Sequence, residues 1–291
     1  AVSVILGNMG AIFHSMGDIP KALDYYTRSL KVGEEIGDLR MISGSLGNLG
    51  VTHFSKGDFP KCIDMFQKAQ KILERMGDIT NISWSQASIG ASYNEMGDYE
   101  VAEEYIRKAI SAGEQSGDQW KMCGALFYLG DLQRNLGKTD ESEATYTKAL
   151  AIAEALESPD FGTDIRTALG EMARERGDLA AAGGYFVAGE KLARDSGLIV
   201  ELASVLRGHG LMLAETGKRA ESEAKFAEAM EIHKGITNPV GKAKLLYDWG
   251  RCTVSFGDRE RGMKLLAEAR KIFRKALMKT WIAKCDRVLL A

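Results

Sequence analysis

Glycine recurs along this chain at a fixed step of 40 residues. One series runs Gly10, Gly50, Gly90, Gly130, Gly170, Gly210 and Gly250, and a second runs Gly17, Gly57, Gly97, Gly137, Gly177, Gly217 and Gly257. A third, Gly37, Gly77, Gly117 and Gly197, keeps the same step and lapses at Glu157, Thr237 and Leu277. Together they hold 18 of the 32 glycines, so the excess is periodic, unlike the scattered glycine of a flexible linker. A period of this size, kept through seven units without insertion or deletion, means stacked supersecondary units rather than independent domains.

Each unit reads as two helices. In its second half a small residue (Ala22, Cys62, Ala102, Ser142, Ala182, Ser222, Gly262) is followed four positions on by a bulky one (Tyr26, Phe66, Ile106, Tyr146, Phe186, Phe226, Leu266). Three further comes another small residue, from Ser29 to Ala269, and three further an apolar one, from Val32 to Ile272. Spacings of about 3 and 4 are helical. The first half carries Leu6, Met9 and Phe13, then Leu126 and Leu129, then Leu246 and Trp249, again at helical spacing. Asp18, Asp58, Asp98, Asp178 and Asp258 follow the second glycine series as N-caps, and Asp38, Asp78 and Asp118 follow the third. Pro20 and Pro60 fit the first turn of the second helix. The Gly10 series lies inside the first helix, where glycine costs about 1 kcal/mol relative to alanine. Its recurrence implies that the bulky residue of the second helix presses directly on the backbone there.

Composition narrows the function. Lys and Arg number 38 against 40 Asp and Glu, and a net charge of −2 argues against nucleic-acid binding. No stretch approaches the roughly 20 apolar residues that span a bilayer. The 4 cysteines, at 62, 123, 252 and 285, form no CxxC pair and no disulfide framework, which points to a reducing, cytoplasmic compartment. Residues 259–287 hold ten basic and three acidic side chains, a local +7 that leaves −9 for the rest. This is the pattern of a solvated face on a terminal cap, or of a docking surface for an acidic partner.

With these motifs in phase over nearly the whole chain, the sequence resembles the tetratricopeptide repeat family, whose unit reads W-x2-L-G-x2-Y, then A-x3-F-x2-A, then P. The second unit shows Leu46, Leu49-Gly50 and His53-Phe54, then Cys62, Phe66 and Ala69; the third shows Ile89-Gly90, Tyr93, Ala102, Ile106 and Ala109. The period is 40 rather than the family's usual 34, and Glu34, Glu74, Glu114, Glu154, Arg194, Lys234 and Arg274 stand where the closing proline belongs. That is similar to the long-helix arrays of kinesin light chains, Leu-Gly-Asn-repeat adaptors and bacterial signalling regulators. HEAT and armadillo repeats share a period near 40 but lack the in-helix glycine.

The resemblance implies an all-α, right-handed α–α superhelix of seven helix pairs, at about 1–37, 38–77, 78–117, 118–157, 158–197, 198–237 and 238–277, closed by a capping helix over 278–291. By the period, the first helix would begin about two residues before Ala1, as in an excised fragment of a longer protein. The resemblance also implies that first helices line a concave face holding extended or helical peptides. The family's groove positions fall on Asn8, Asn48 and Asn94, whose amides can bond a peptide backbone, and on Trp84, Phe127 and Tyr128, which supply aromatic anchors. Beyond them lie Asp131, Arg134 and Arg174, where an arginine can pair with a ligand carboxylate. The carboxylate-clamp pattern is broken by Gly7, Ala11 and Trp84 in the basic slots.

Chemistry finds little footing. Gly137-Lys138-Thr139 imitates the end of a phosphate loop, but Leu132 stands where its first glycine belongs. Asn81-Ile82-Ser83 matches a glycosylation sequon within a helical segment. His14, His53, His209 and His233 form no i, i+4 ligand pair. The expectation is a non-catalytic scaffold with a protein or peptide partner, no metal and no cofactor. The alternative is the sensory or autoinhibitory arm of a larger bacterial signalling ATPase, cyclase or transcription regulator. The partner and the oligomeric state stay open.

Overall fold

The computed structural model describes residues 2–290, with side chains from residue 4 onward. The expected helix start before Ala1 and the last residue of the expected cap, Ala291, lie outside the described residues. Two compact units divide the chain, Ala1–Lys138 and Thr139–Ala291. The first holds α1 (Val2–Ser15), α2 (Ile19–Ile36), α3 (Leu39–Ser55), α4 (Phe59–Met76), α5 (Ile79–Met96), α6 (Tyr99–Ser116) and α7 (Gln119–Asn135). The second holds α8 (Thr139–Ala155), α9 (Pro159–Glu175), α10 (Leu179–Asp195), α11 (Ile199–Glu215), α12 (Arg219–Gly235), α13 (Pro239–Ser255), α14 (Arg259–Lys275) and α15 (Lys279–Leu289).

The turns explain where these helices begin and end. All seven glycines of the second series have φ between 72° and 92°, the left-handed conformation that closes a helix. At the α3–α4 turn the Gly57 amide donates to the Phe54 carbonyl at 2.8 Å and the Asp58 amide to the His53 carbonyl at 2.9 Å. The third series behaves alike, and two of its three lapses keep the conformation: Glu157 (φ 50°) and Leu277 (φ 59°) are left-handed without being glycine. Asp18, Asp38, Asp78, Asp118, Asp178 and Asp258 each accept a hydrogen bond from the backbone amide three residues on. Asp58 and Asp98 hold the cap position without that bond, a departure from the sequence expectation. Asp58 instead lies 3.3 Å from Lys61 and 3.7 Å from His53.

The in-helix glycines are contact points. A Cβ on Gly50 would lie 2.6 Å from the Phe66 ring, and one on Gly10 2.6 Å from the Tyr26 ring. The same contact recurs between Gly90 and Ile106, Gly170 and Phe186, Gly210 and Phe226, and Gly250 and Leu266, at 2.6 to 3.0 Å. Around these contacts the core forms as local clusters, such as Cys62, Ile63, Phe66 and Ile89 in the first unit and Phe186, Val205, Met212 and Leu213 in the second. The terminal α15 covers α13 and α14: Trp281 stacks on Phe273 at 5.1 Å and meets Tyr247 edge-on at 5.5 Å, while Met278 and Cys285 are fully buried.

Candidate functional site

Two extra glycines make α3 unlike its neighbours. Gly44 and Gly47 lie on the side of α3 that faces α5, and a Cβ on Gly44 would have nothing within 4 Å. Where side chains would otherwise fill the space, a cleft of about 280 Å³ opens between α3 and α5, floored by α4. Phe66, Ala69 and Leu73 form its floor, and Asn48 and Trp84 stand on opposite walls. Arg40, Asp78 and Asn81 border one end. Asn48 is exposed and Trp84 half-buried.

Trp84 leans toward α7. Its ring lies 5.0 Å from Trp120 and 6.5 Å from Tyr128, and Tyr128 lies 5.6 Å from Phe127. The predicted aromatics therefore form one cluster, completed by Trp120, which sequence reasoning passed over. Asn94 is 7% exposed, and its Oδ1 accepts from Asn135 Nδ2 at 3.0 Å, so its amide serves the α5–α7 contact. Asn8 is exposed on α1 and does not line the cleft. Asp131 and Arg134 are half-buried on α7.

In the second unit the first helices carry ion pairs across repeats. Arg174 on α9 donates to Glu215 at 2.6 Å and lies 3.3 Å from Glu175, so the guanidinium expected to await a ligand already has internal partners. Arg207 on α11 bridges Glu171 of α9 and Asp248 of α13, all three largely buried. Nearby, Glu190 on α10 is driven up by burial, yet hydrogen bonds from Lys225, Arg194 and His209 overcome this and hold it at about 2. His209 stacks on Phe186 at 6.0 Å, with its pKa lowered by burial against the pull of Glu190. His209 thus serves packing and the Glu190 network.

Other candidates resolve as structure. Gly137 closes α7 with φ 75°. Asn81 Nδ2 donates to Asp78 at 2.8 Å, and buried Ser83 donates to the Ala109 carbonyl at 2.7 Å, so the sequon residues serve the helix packing. Burial pushes the thiols of Cys62 and Cys252 up to about 12 and that of Cys285 up to about 11, far from a reactive thiolate. Part of the basic C-terminal charge is engaged: Arg261 pairs with Glu223, Lys264 with Glu260 and Arg270 with Asp286. Among the described residues no helix is long and apolar enough to cross a membrane.

Arg40, Gly44 and Gly47 are the functional candidates that the repeat pattern did not single out. The available signal was two helix glycines close together in α3, in addition to Gly50 of the recurring series.

Comparison with solved structures places this architecture. The apo form of RapI superposes with a TM-score of 0.70 at 14% identity, over 94% of this chain and 99% of that one. The Rap conjugation gene regulator of plasmid pLS20, in complex with a Phr peptide, gives 0.64 at 16% identity, over 98% and 96%. A signal transduction ATPase with numerous domains and a tetratricopeptide repeat sensor, from Pyrococcus horikoshii, gives 0.60 at 15% identity, over 98% of this chain and 44% of that one. At such identities the likeness is one of fold, an all-α superhelix of stacked helix pairs. No curated protein sequence matches. A tetratricopeptide repeat family model matches residues 1–75 and again 41–115, and a second of the same description matches 125–160. Together these matches span more than half of the chain, and it belongs to the tetratricopeptide repeat family.

Proposed function

We propose that the chain is a non-catalytic scaffold that holds a protein or peptide segment against its first helices, with the cleft between α3 and α5 as the main seat. The observation that carries this reading is the cleft itself. Glycines keep it open, an apolar floor lies beneath it, and the exposed amide of Asn48 stands at its wall. Such an amide can bond a peptide backbone whatever its sequence, while the Trp84–Trp120–Tyr128 cluster offers apolar area beside it. The pLS20 regulator, of the same fold, holds a peptide. Asn8, Phe127, Asp131 and Arg134 remain secondary candidates for contacts further along the segment.

The test is selection of peptides on the immobilised chain, followed by titration against variants. Asn48→Ala with Tyr128→Ala is expected to weaken binding about tenfold or more while the melting temperature changes little. Loss of the fold in that double variant would show that both residues serve packing instead.

A second reading has its own observation. Nearly all of this chain aligns with less than half of the Pyrococcus ATPase, on its fold. The array is then the sensory or autoinhibitory arm of a larger signalling protein, and its ligand is another domain of the same polypeptide. Titrating the array with separately expressed neighbouring domains decides this, because saturable binding to none of them would discard it.

A further inference from the structure

The rim of the α3–α5 cleft is chemically lopsided. Its floor is apolar, with Phe66 1%, Ala69 1% and Leu73 4% exposed. The hydroxyls on its walls are turned back onto their own helices: Ser43 donates to the Arg40 carbonyl at 3.1 Å and Ser85 to the Asn81 carbonyl at 2.9 Å. Asp78 is occupied as a cap, accepting from the Asn81 amide at 3.0 Å and from Asn81 Nδ2 at 2.8 Å. Arg40 differs. It is exposed at the end of the cleft, and no carboxylate among the described residues lies within ion-pair distance of it.

Size and spacing then select the ligand. A volume of about 280 Å³ falls below the ~300–1,000 Å³ of pockets that enclose a small molecule, and suits one large side chain with its backbone. Along α3, Arg40 and Gly44 are about 6 Å apart in rise. In an extended peptide, residues i and i+2 point to the same side and lie about 6.6 Å apart. The two steps match.

We propose that the cleft selects an extended segment in which a large apolar side chain, seated over Phe66 and Leu73, lies two residues from an aspartate or glutamate that pairs with Arg40. Asn48 holds the backbone beyond the apolar residue. This rests on the reading that the first helices bind a peptide. The carboxylate is that of a side chain and not of a chain terminus, because a terminus is captured by several converging donors and Arg40 is a single one.

The experiment is selection of random nonapeptides displayed on phage against the whole chain, followed by fluorescence titration of the selected peptides. Winners are expected to carry Asp or Glu two residues from Leu, Met or Phe, and to weaken about tenfold on Glu→Gln replacement in the peptide. Arg40→Gln in the protein is expected to erase that difference. Amidating the peptide C-terminus is expected to change nothing. Gly44→Leu, which fills the cleft from a position where a Cβ has no neighbour within 4 Å, is expected to abolish binding without lowering the thermal melt. Winners that fail on Gly44→Leu yet show no acidic preference would overturn the acid-selecting cleft and leave peptide binding standing. So would winners that keep their preference on Arg40→Gln, or that fail on amidation. No winners, or winners indifferent to Gly44→Leu, would overturn both.

Discussion

Gly44 and Gly50 occupy one helix, have one chemical identity and face opposite demands. A methyl group on Gly50 would be driven into the Phe66 ring, which is 1% exposed. Gly50→Ala is therefore expected to cost about 1–3 kcal/mol through overpacking. Gly44→Ala meets open space and is expected to stabilise the helix by up to about 1 kcal/mol. Urea unfolding of the two single variants reads both signs. The left-handed residues give a second pair. Glu157 and Leu277 carry side chains at φ 50° and 59°, where Gly37, Gly77, Gly117 and Gly197 stand at other repeat ends. Glu157→Gly and Leu277→Gly are each expected to stabilise the fold by about 1 kcal/mol, seen as higher denaturation midpoints. Equal or lower midpoints would show that local contacts repay the strain.

Among the elements, the end of α12 carries a pH dependence within the mildly acidic range. His233 is 8% exposed there, and its Nδ1 has no hydrogen-bond partner. Burial, with the charges of Lys242 and Arg207 added, pushes its pKa down to about 4. The unfolded chain takes up this proton near 6.5, so its stabilising effect is complete above that pH and drains away as pH falls toward 4. About 3 kcal/mol is at stake if the group is fully dehydrated. The same slot in the last repeat holds fully buried Phe273. His233→Phe is expected to flatten the pH dependence of the unfolding free energy between 6.5 and 4, and an unchanged slope would assign it to other groups. The helices also show what sequence can and cannot reveal. Caps, turns and the glycine contacts were legible because each depends on residues within one repeat. The exceptions at Asp58 and Asp98 were not, since a cap position does not fix the side-chain rotamer. Nor was the engagement of Arg174 by Glu215, which lies one repeat onward. The Arg207 bridge likewise depends on Glu171 and Asp248, on two other helices. Asn48 and Trp84 line one cleft, whereas Arg40 escaped notice because it sits a turn before the family's usual groove positions.

At the scale of the whole molecule, the junctions between repeats are not uniform. At α3 and α5 the buried positions that meet the preceding helix pair are Ser45, Thr52, Ser85 and Ser92, with Ser45 bonded to Ser29 at 3.0 Å and Ser92 to Cys62 at 3.2 Å. At α11 and α13 the equivalent positions are Val205, Met212, Leu245 and Cys252. Each buried methylene contributes about 0.8 kcal/mol, so the hydroxyl-lined junctions are weaker by on the order of 2 kcal/mol apiece. In a repeat array stability is close to a sum over such junctions. Amide hydrogen exchange is thus expected to be faster in α3 and α5 than in α11 and α13, and the reverse order would refute this ranking. In mechanical terms the α3 and α5 junctions are the softer springs of the array. A pulling force would extend the junctions around α3 and α5 first, and the cleft sits on that compliant stretch. On the peptide-binding reading proposed above, tension on the chain is expected to loosen that cleft before the junctions of α11 and α13 yield.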